Sequence, residues 1–291
     1  LQLLPARSLD QGIDYINSLV ETNLASRMVA GTIRAYQQAM TLHMVPITLI
    51  GVAISTAAFP KMTERLAQNR KDLFCQELHT VLRVIIWLAL PTVVVAYFTR
   101  GYLIHFVKNG GEPLMAGIFG ILTLAILFRS IYHISARSFY AQKDTKTPLY
   151  ISLFTIGLNI VLAIYFTMNL KLGAYGLAWA QSLVAMIEVL ILFVFMKRRI
   201  RGLFNVEFNH AVLRMFSATG FVAIVTYAMV VIFPLRAEDQ SFLAIFPKFL
   251  LITSSAAVTY LIFSKILGLS EVEPILKRAR HIMLGGVGRW T

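Results

Sequence analysis

PLMAGIFGILTLAILFRSIYHISAR, residues 113–137, carries no charged side chain between Glu112 and Arg129. Crossing the ~30 Å hydrocarbon layer of a bilayer takes about 20 apolar residues in a helix. Within that layer every backbone N–H and C=O must find its partner inside protein, which leaves helices or closed barrels as spanning structures. A barrel strand would alternate with period two, and this run does not, so it is expected to span as one helix. Pro113 stands at its edge, where a missing N–H costs little.

Outward from this run the pattern repeats almost end to end. Spans are expected at about 8–28, 32–59, 80–99, 113–138, 148–168, 173–196, 209–233 and 243–266. The fold class that follows is all-α, a polytopic membrane protein of about eight transmembrane helices. Composition agrees: 57% of the 291 residues are hydrophobic and 14% are charged, where a soluble domain has roughly a quarter charged. Mean hydropathy is +0.70. Pro60, Pro148 and Pro234 fall at span edges like Pro113, whereas Pro46 and Pro91 fall within spans and should kink them.

The net charge of +13 would suit nucleic acid, but its placement does not, because the basic residues sit in short stretches between apolar runs. No nucleic-acid partner is expected; membrane lipids are. A single cysteine, Cys75, in what reads as an inter-helix linker, excludes an intrachain disulfide and the usual thiolate metal site. The opening LQLLPARSLDQG lacks the layout of a signal peptide and reads as the inside of a longer protein.

Basic residues alternate between connections. Lys61, Arg65, Arg70 and Lys71 lie in one, Arg137, Lys143 and Lys146 in the next but one, and Lys197, Arg198, Arg199 and Arg201 in the next but one again. The tail adds Lys265, Lys277, Arg278 and Arg280. The intervening connections are sparse. The positive-inside rule makes the rich set cytoplasmic and puts both ends of the segment inside, a parity that eight spans satisfy. The linker at 61–79 carries Met62, Leu66 and Leu73 near one helical face among charges, so an amphipathic helix lying on the cytoplasmic surface is expected there. The domain reading is a six-helix lobe over 1–201, two terminal helices over 202–268 and a cytoplasmic tail over 269–291.

Polar residues inside the apolar spans fall on stripes. Asp10, Asp14, Asn17 and Glu21 share one face of the first span, which must look at water or protein, since carboxylates facing lipid are prohibitively costly. Arg34, Thr41, Thr48 and Ser55 recur every seventh position on the second, flanked by Gln37 and Gln38. Arg129, Ser130, His133 and Arg137 descend the fourth, Asn159 lies in the fifth, and Gln181 and Glu188 stand seven apart on the sixth. An unpaired arginine at mid-membrane costs about 2.5 kcal/mol or more. Arg129 therefore needs a carboxylate or an aqueous path, with Glu188 its partner by depth. His133 reads as a hydrogen-bonded structural histidine, with proton relay as the alternative. No catalytic serine elbow, zinc-binding helix motif or phosphate-cradling glycine loop occurs.

Two segments carry a family resemblance. PITLIGVAISTAAFPKMTERLAQ, residues 46–68, resembles the helix-end and linker signature of the MviN/MurJ family of lipid II flippases, within the multidrug/oligosaccharidyl-lipid/polysaccharide exporter superfamily. ARSFYAQKDTKTP, residues 136–148, followed by Asn159 and by GAYGLAWAQS, residues 173–182, is similar to that family's tenth to twelfth helices. The resemblance runs over residues 1–201 and implies the second six-helix lobe of such a fold, followed by the two terminal helices and facing an N-terminal lobe that this segment lacks. It implies alternating-access export of lipid-linked peptidoglycan precursor across the bacterial cytoplasmic membrane in cell-wall biogenesis, with no covalent chemistry and no cofactor.

Candidates for contact with that head group are Arg34, Gln38, Thr41, Arg129, His133 and Glu188, because guanidinium groups grip pyrophosphate oxygens in pairs. Met40 and Thr41 stand where many members carry an adjacent Asp-Arg pair, which makes Arg34 a substitute for that cation. Some members hold a coupling cation between the first, fifth and sixth helices of this lobe. Asn159 matches the family's asparagine there, and Asp14, Asn17 and Glu21 are candidates by face, with Na+ or H+ as the ion. Alternatives are a polysaccharide-lipid flippase or drug exporter of the same superfamily, a membrane-bound polyprenyl-phosphate transferase, and a scaffold whose polar stripes only pair helices.

Overall fold

The computed structural model describes residues 19–24, 28, 31–108, 111–200, 203–236, 239, 241–274 and 277. Seven helices among them are long and apolar enough to cross a membrane. We label them with one short helix in chain order: α1 (Thr32–Ala67), α2 (Lys71–Phe98), the short α3 (Arg100–Val107), α4 (Pro113–Ala141), α5 (Lys146–Asn169), α6 (Ala174–Arg199), α7 (Val206–Ile232) and α8 (Phe242–Ile266). A 3-10 turn, Ser270–Val272, follows. Of the expected first span, residues 19–24 are described and helical. The eight-helix reading is met to that extent.

α4 is the hub. It packs against α1, α2 and α6, and 61% of its apolar window is buried, against 17% for α8 at the periphery. α5 lies on α6, α7 on α2, and α8 on α7. Two apolar clusters fill the interior. One is built around Leu82, Ile85, Ile134, Leu192 and Met215, the other around Ala35, Ala39, Ile118, Leu122 and Leu177. On α6 the first takes Val189 onward and the second ends at Ala180. Gln181 and Glu188 stand at that junction.

α1 is one rod with a fault. Pro46 lacks an N–H and its ring crowds the preceding turn, and the six residues Ile47–Val52 that follow form a π-helical segment. The widened turn lies against α4. A Cβ on Gly51 would stand 2.7 Å from Ser130 Cα, so only glycine allows this approach. Arg137 of α4 donates from Nη1 to the Val52 carbonyl at 3.0 Å, satisfying a group at the end of the π-helical segment. Pro113 opens α4 as expected.

Residues 61–79 depart from the expectation of a separate surface helix. α1 runs unbroken through Pro60 to Ala67, α2 begins at Lys71, and only a turn with Asn69 in the left-handed region separates them. Of the apolar residues that suggested a membrane-lying face, Met62 and Leu66 instead pack into the core that joins the overhanging helix ends. Met62, Phe74 and Leu78 are buried, and Lys61 pairs with Glu77 at 2.7 Å. Cys75 accordingly lies within α2, not in a linker.

Three of the basic connections meet at one end. Arg199, closing α6, pairs with Asp144 of the α4–α5 turn at 2.5 Å, and His79 of α2 bonds to the Leu203 carbonyl between α6 and α7. Arg83 of α2 reaches Glu271 at 2.5 Å and Ser270 at 3.0 Å, tying the 3-10 turn to the same end. Burial alone would raise the Asp144 carboxyl. Hydrogen bonds from Thr147 and the Arg199 charge outweigh it and hold the group below its ordinary value. Deeper in, Trp87 donates to Ser264 at 3.0 Å and its carbonyl accepts from Tyr260 at 2.7 Å, which locks α8 to α2.

Candidate functional site

At the junction of the two apolar clusters, polar side chains from five segments form one connected network. Glu21, only 4% exposed, accepts from Tyr36 of α1 at 2.8 Å, Asn159 of α5 at 2.7 Å and Gln181 of α6 at 2.7 Å. The carbonyl oxygen of Gln181 accepts in turn from Arg129 Nη2 of α4 at 3.3 Å. Arg129 Nη1 meets Glu188 Oε2 at 3.0 Å, and the other Glu188 oxygen accepts from Ser152 at 3.1 Å and Thr155 at 3.2 Å. Tyr132 and Ser152 share a hydrogen bond at 3.1 Å.

Local sequence explains the convergence. Ser152, Thr155 and Asn159 follow i, i+3, i+7 spacing, which puts all three on one face of α5, and all three are buried. Gln181 and Glu188 lie two turns apart on the facing side of α6. Ionised carboxylates away from water need several donors. Glu21 and Glu188 each have three from side chains of neighbouring helices.

A second polar feature stays apart. Arg34, Gln37, Thr41, Thr48 and Thr56 lie exposed along α1. The threonines return their hydroxyl protons to the backbone one turn earlier: Thr41 to Gln37 at 2.9 Å, Thr48 to Met44 at 2.9 Å, Thr56 to Val52 at 2.6 Å. Gln38, half-buried beside this column, has a carbonyl oxygen that is buried and accepts no hydrogen bond among the described residues. Ser55, expected on the same stripe, is buried and bonds to the Gly51 carbonyl.

The six residues grouped by sequence as head-group contacts thus divide. Arg34 and Thr41 are exposed, with Gln38 at their side. Arg129 and Glu188 are joined to each other, with Glu188 side chain only 3% exposed. His133 stands where α1 crosses α4, near Gly51 and edge-on to Tyr132 at 5.7 Å, and makes no hydrogen bond among the described residues. Of the residues grouped around a coupling ion, Glu21 and Asn159 are in direct contact, while Asp14 and Asn17 lie outside the described residues. Tyr36, Ser152 and Thr155 were missed. The shared face of Ser152, Thr155 and Asn159 was the signal available for two of them. Among the described residues no group of three or more His, Cys, Asp or Glu could hold a metal ion, so a cation would need the amide and hydroxyl oxygens of the network as well.

The family model for lipid II flippase MurJ matches residues 1–248. The chain belongs to the MurJ family. The probable lipid II flippase MurJ of Thermotoga maritima is 26% identical over 279 residues, covering 94% of this chain and 54% of that protein. Lipid II flippase MurJ of Thermosipho africanus is 30% identical over 162 residues, covering 54% of this chain and 33% of that one. A solved structure of lipid II flippase MurJ in an inward closed conformation superposes with a TM-score of 0.73 at 26% identity, over 89% of this chain and 52% of that one. An outward-facing MATE family multidrug resistance transporter of the MOP superfamily gives 0.60 at 14% identity, over 97% of this chain and 69% of that one, a likeness of fold alone. The chain spans about half the length of the MurJ relative that it matches along most of its own length. MurJ membership and seven apolar spans make it a multi-pass protein of the bacterial inner membrane.

Proposed function

We propose that this MurJ-family chain forms one wall of a cavity through which lipid-linked peptidoglycan precursor is flipped by alternating access. The observation that carries the reading is the double face of α1. Arg34, Gln37 and Thr41 stand open on one side, while Tyr36 bonds to the buried Glu21 on the other. One helix therefore touches both an open polar wall and a buried carboxylate, so a change in one is felt by the other. A facing lobe outside this chain completes the cavity. Arg34 contributes a planar cation for a pyrophosphate head group. The basic end, with Lys61, Lys143 and Arg199, is cytoplasmic by the positive-inside rule.

Coupling to Na+ or H+ is assigned to Glu21, Asn159 and Gln181. Hard cations take carboxylate and carbonyl oxygens. Rotating the Asn159 amide by half a turn presents to the carboxylate region an oxygen where a nitrogen now points, while the Gln181 oxygen stays on Arg129, so Glu21 and Asn159 suit such an ion. When bound, the ion would supply positive charge beside Glu21, leaving Gln181 to orient the carboxylate and Tyr36 to report its state to α1.

The test is lipid II flipping by the protein carrying this lobe, reconstituted in vesicles with imposed ion gradients. Arg34→Ala should lower flipping at every gradient, and Glu21→Gln should abolish its dependence on the gradient. Unchanged flipping by Arg34→Ala would sink the head-group role. Flipping indifferent to both ions would sink the coupling.

A further inference from the structure

Away from the basic end, α2 and α6 flank α4 and leave a groove of about 350 Å³. Val93, Val94 and Phe98 of α2, Leu124 of α4 and Trp179 of α6 form its apolar walls, and Gly120 lies in it. None of these residues belongs to α1 or to the buried polar network. The groove is therefore independent of the transport reading.

Next to this apolar space lies a cation. A Cβ on Gly120 would stand 2.9 Å from Arg100 Cδ, so the arginine stem rests on bare backbone that any side chain would occupy. Its guanidinium carbon sits 4.5 Å over the centre of the Tyr97 ring, and Nη1 donates to the Tyr97 carbonyl at 2.7 Å. A guanidinium carries five N–H donors. Among the described residues no carboxylate pairs with Arg100, and the Tyr97 carbonyl is its one hydrogen-bond acceptor. The glycine and the tyrosine thus hold a positive group beside a groove made for hydrocarbon, with most of its donors uncommitted.

We infer that the groove binds a membrane phospholipid, an acyl chain lying between α2 and α6 and the phosphate resting on Arg100. Charge complementarity selects the occupant. A neutral apolar partner would leave the guanidinium unanswered, whereas a phosphate diester accepts two of its donors at once. Tyr97 and Trp179, 44% and 40% exposed, mark the depth, since such rings gather at the headgroup level of a bilayer. Lipids of net negative charge, such as phosphatidylglycerol, are favoured over zwitterionic ones.

The protein, extracted in mild detergent and equilibrated with equal amounts of phosphatidylglycerol and phosphatidylcholine, can be weighed by native mass spectrometry to count retained lipid. Phosphatidylglycerol should be retained in excess. Arg100→Gln should lower its retention about fivefold, the worth of one basic residue near a charged surface, and Arg100→Lys should lower it less. Leu124→Trp, which fills the groove and leaves the charge, should lower retention of both lipids. Excess inorganic phosphate should displace neither. Equal retention by the parent and by Arg100→Gln would overturn the proposal. So would displacement by phosphate alone, or a photoreactive group at position 94 labelling a second copy of the chain in place of lipid. Should Leu124→Trp misfold, the Gln and Lys pair, which differ in charge at one half-exposed side chain, still decides.

Discussion

Arg34 and Tyr36 stand two residues apart on α1, yet Tyr36 is 4% exposed and bonded to a buried carboxylate while Arg34 stands in the open. The difference teaches how one amphipathic helix can serve two purposes. Polar groups turned inward must be fully partnered, because an unpaired group in a low-dielectric interior is expensive. Polar groups turned outward are free to meet something that comes and goes. Inward-facing substitutions should therefore register as lost stability, and outward-facing ones as lost transport with the fold intact.

The largest expected effect belongs to Arg129→Ala, which leaves Glu188 charged and buried without its cation. A loss of about 3 kcal/mol, the low end for a broken buried pair because the Arg129 side chain is 30% exposed, should appear as a lowered midpoint of thermal unfolding in detergent. Tyr36→Phe removes one donor to Glu21 and should cost about 1 kcal/mol, in the range for interhelical hydrogen bonds within membranes. If it proved neutral, the inward face of α1 would not be held as the network requires. Asp144→Asn breaks the pair with the 40%-exposed Arg199 and should cost less than about 1 kcal/mol. The sign with pH follows from the depressed Asp144 carboxyl. Its contribution is present above the ordinary value of 3.8 and is lost as pH falls through the lower folded-state value, so the Asn variant should show a shallower acid limb. Arg34→Ala should move stability least, by under about 0.5 kcal/mol, and a large loss there would erase the contrast between the two faces.

Much of this was legible in the sequence because hydrophobic length is a strong signal. The spans and the pairing of Arg129 with Glu188 follow from asking where charge could rest in hydrocarbon, the helix opening at Pro113 follows from its missing N–H, and Asn159 was marked by the family resemblance. Residues 61–79 misled for a physical reason: overhanging ends of two paired helices and a surface-lying helix share the same mixture of apolar and charged positions, and only contact between Met62 and the α2 side distinguishes them. The π segment was invisible beyond a kink at Pro46, since how the chain resets its register depends on what α4 presents to it. Ser152 and Thr155 went unread because hydroxyls are common in spanning helices, where they bond to their own backbone, and nothing local says which will turn to a carboxylate on another helix.

The threonine column of α1 has a chemical handedness. Thr41, Thr48 and Thr56 have each given their proton to the helix behind them, so what they turn outward is lone pairs. Together with Arg34 the face offers one strong donor above a ladder of acceptors. A molecule that lies along it is read in two languages: its anionic part is drawn to the arginine, and the part that follows must answer with hydroxyl or amide hydrogens of its own.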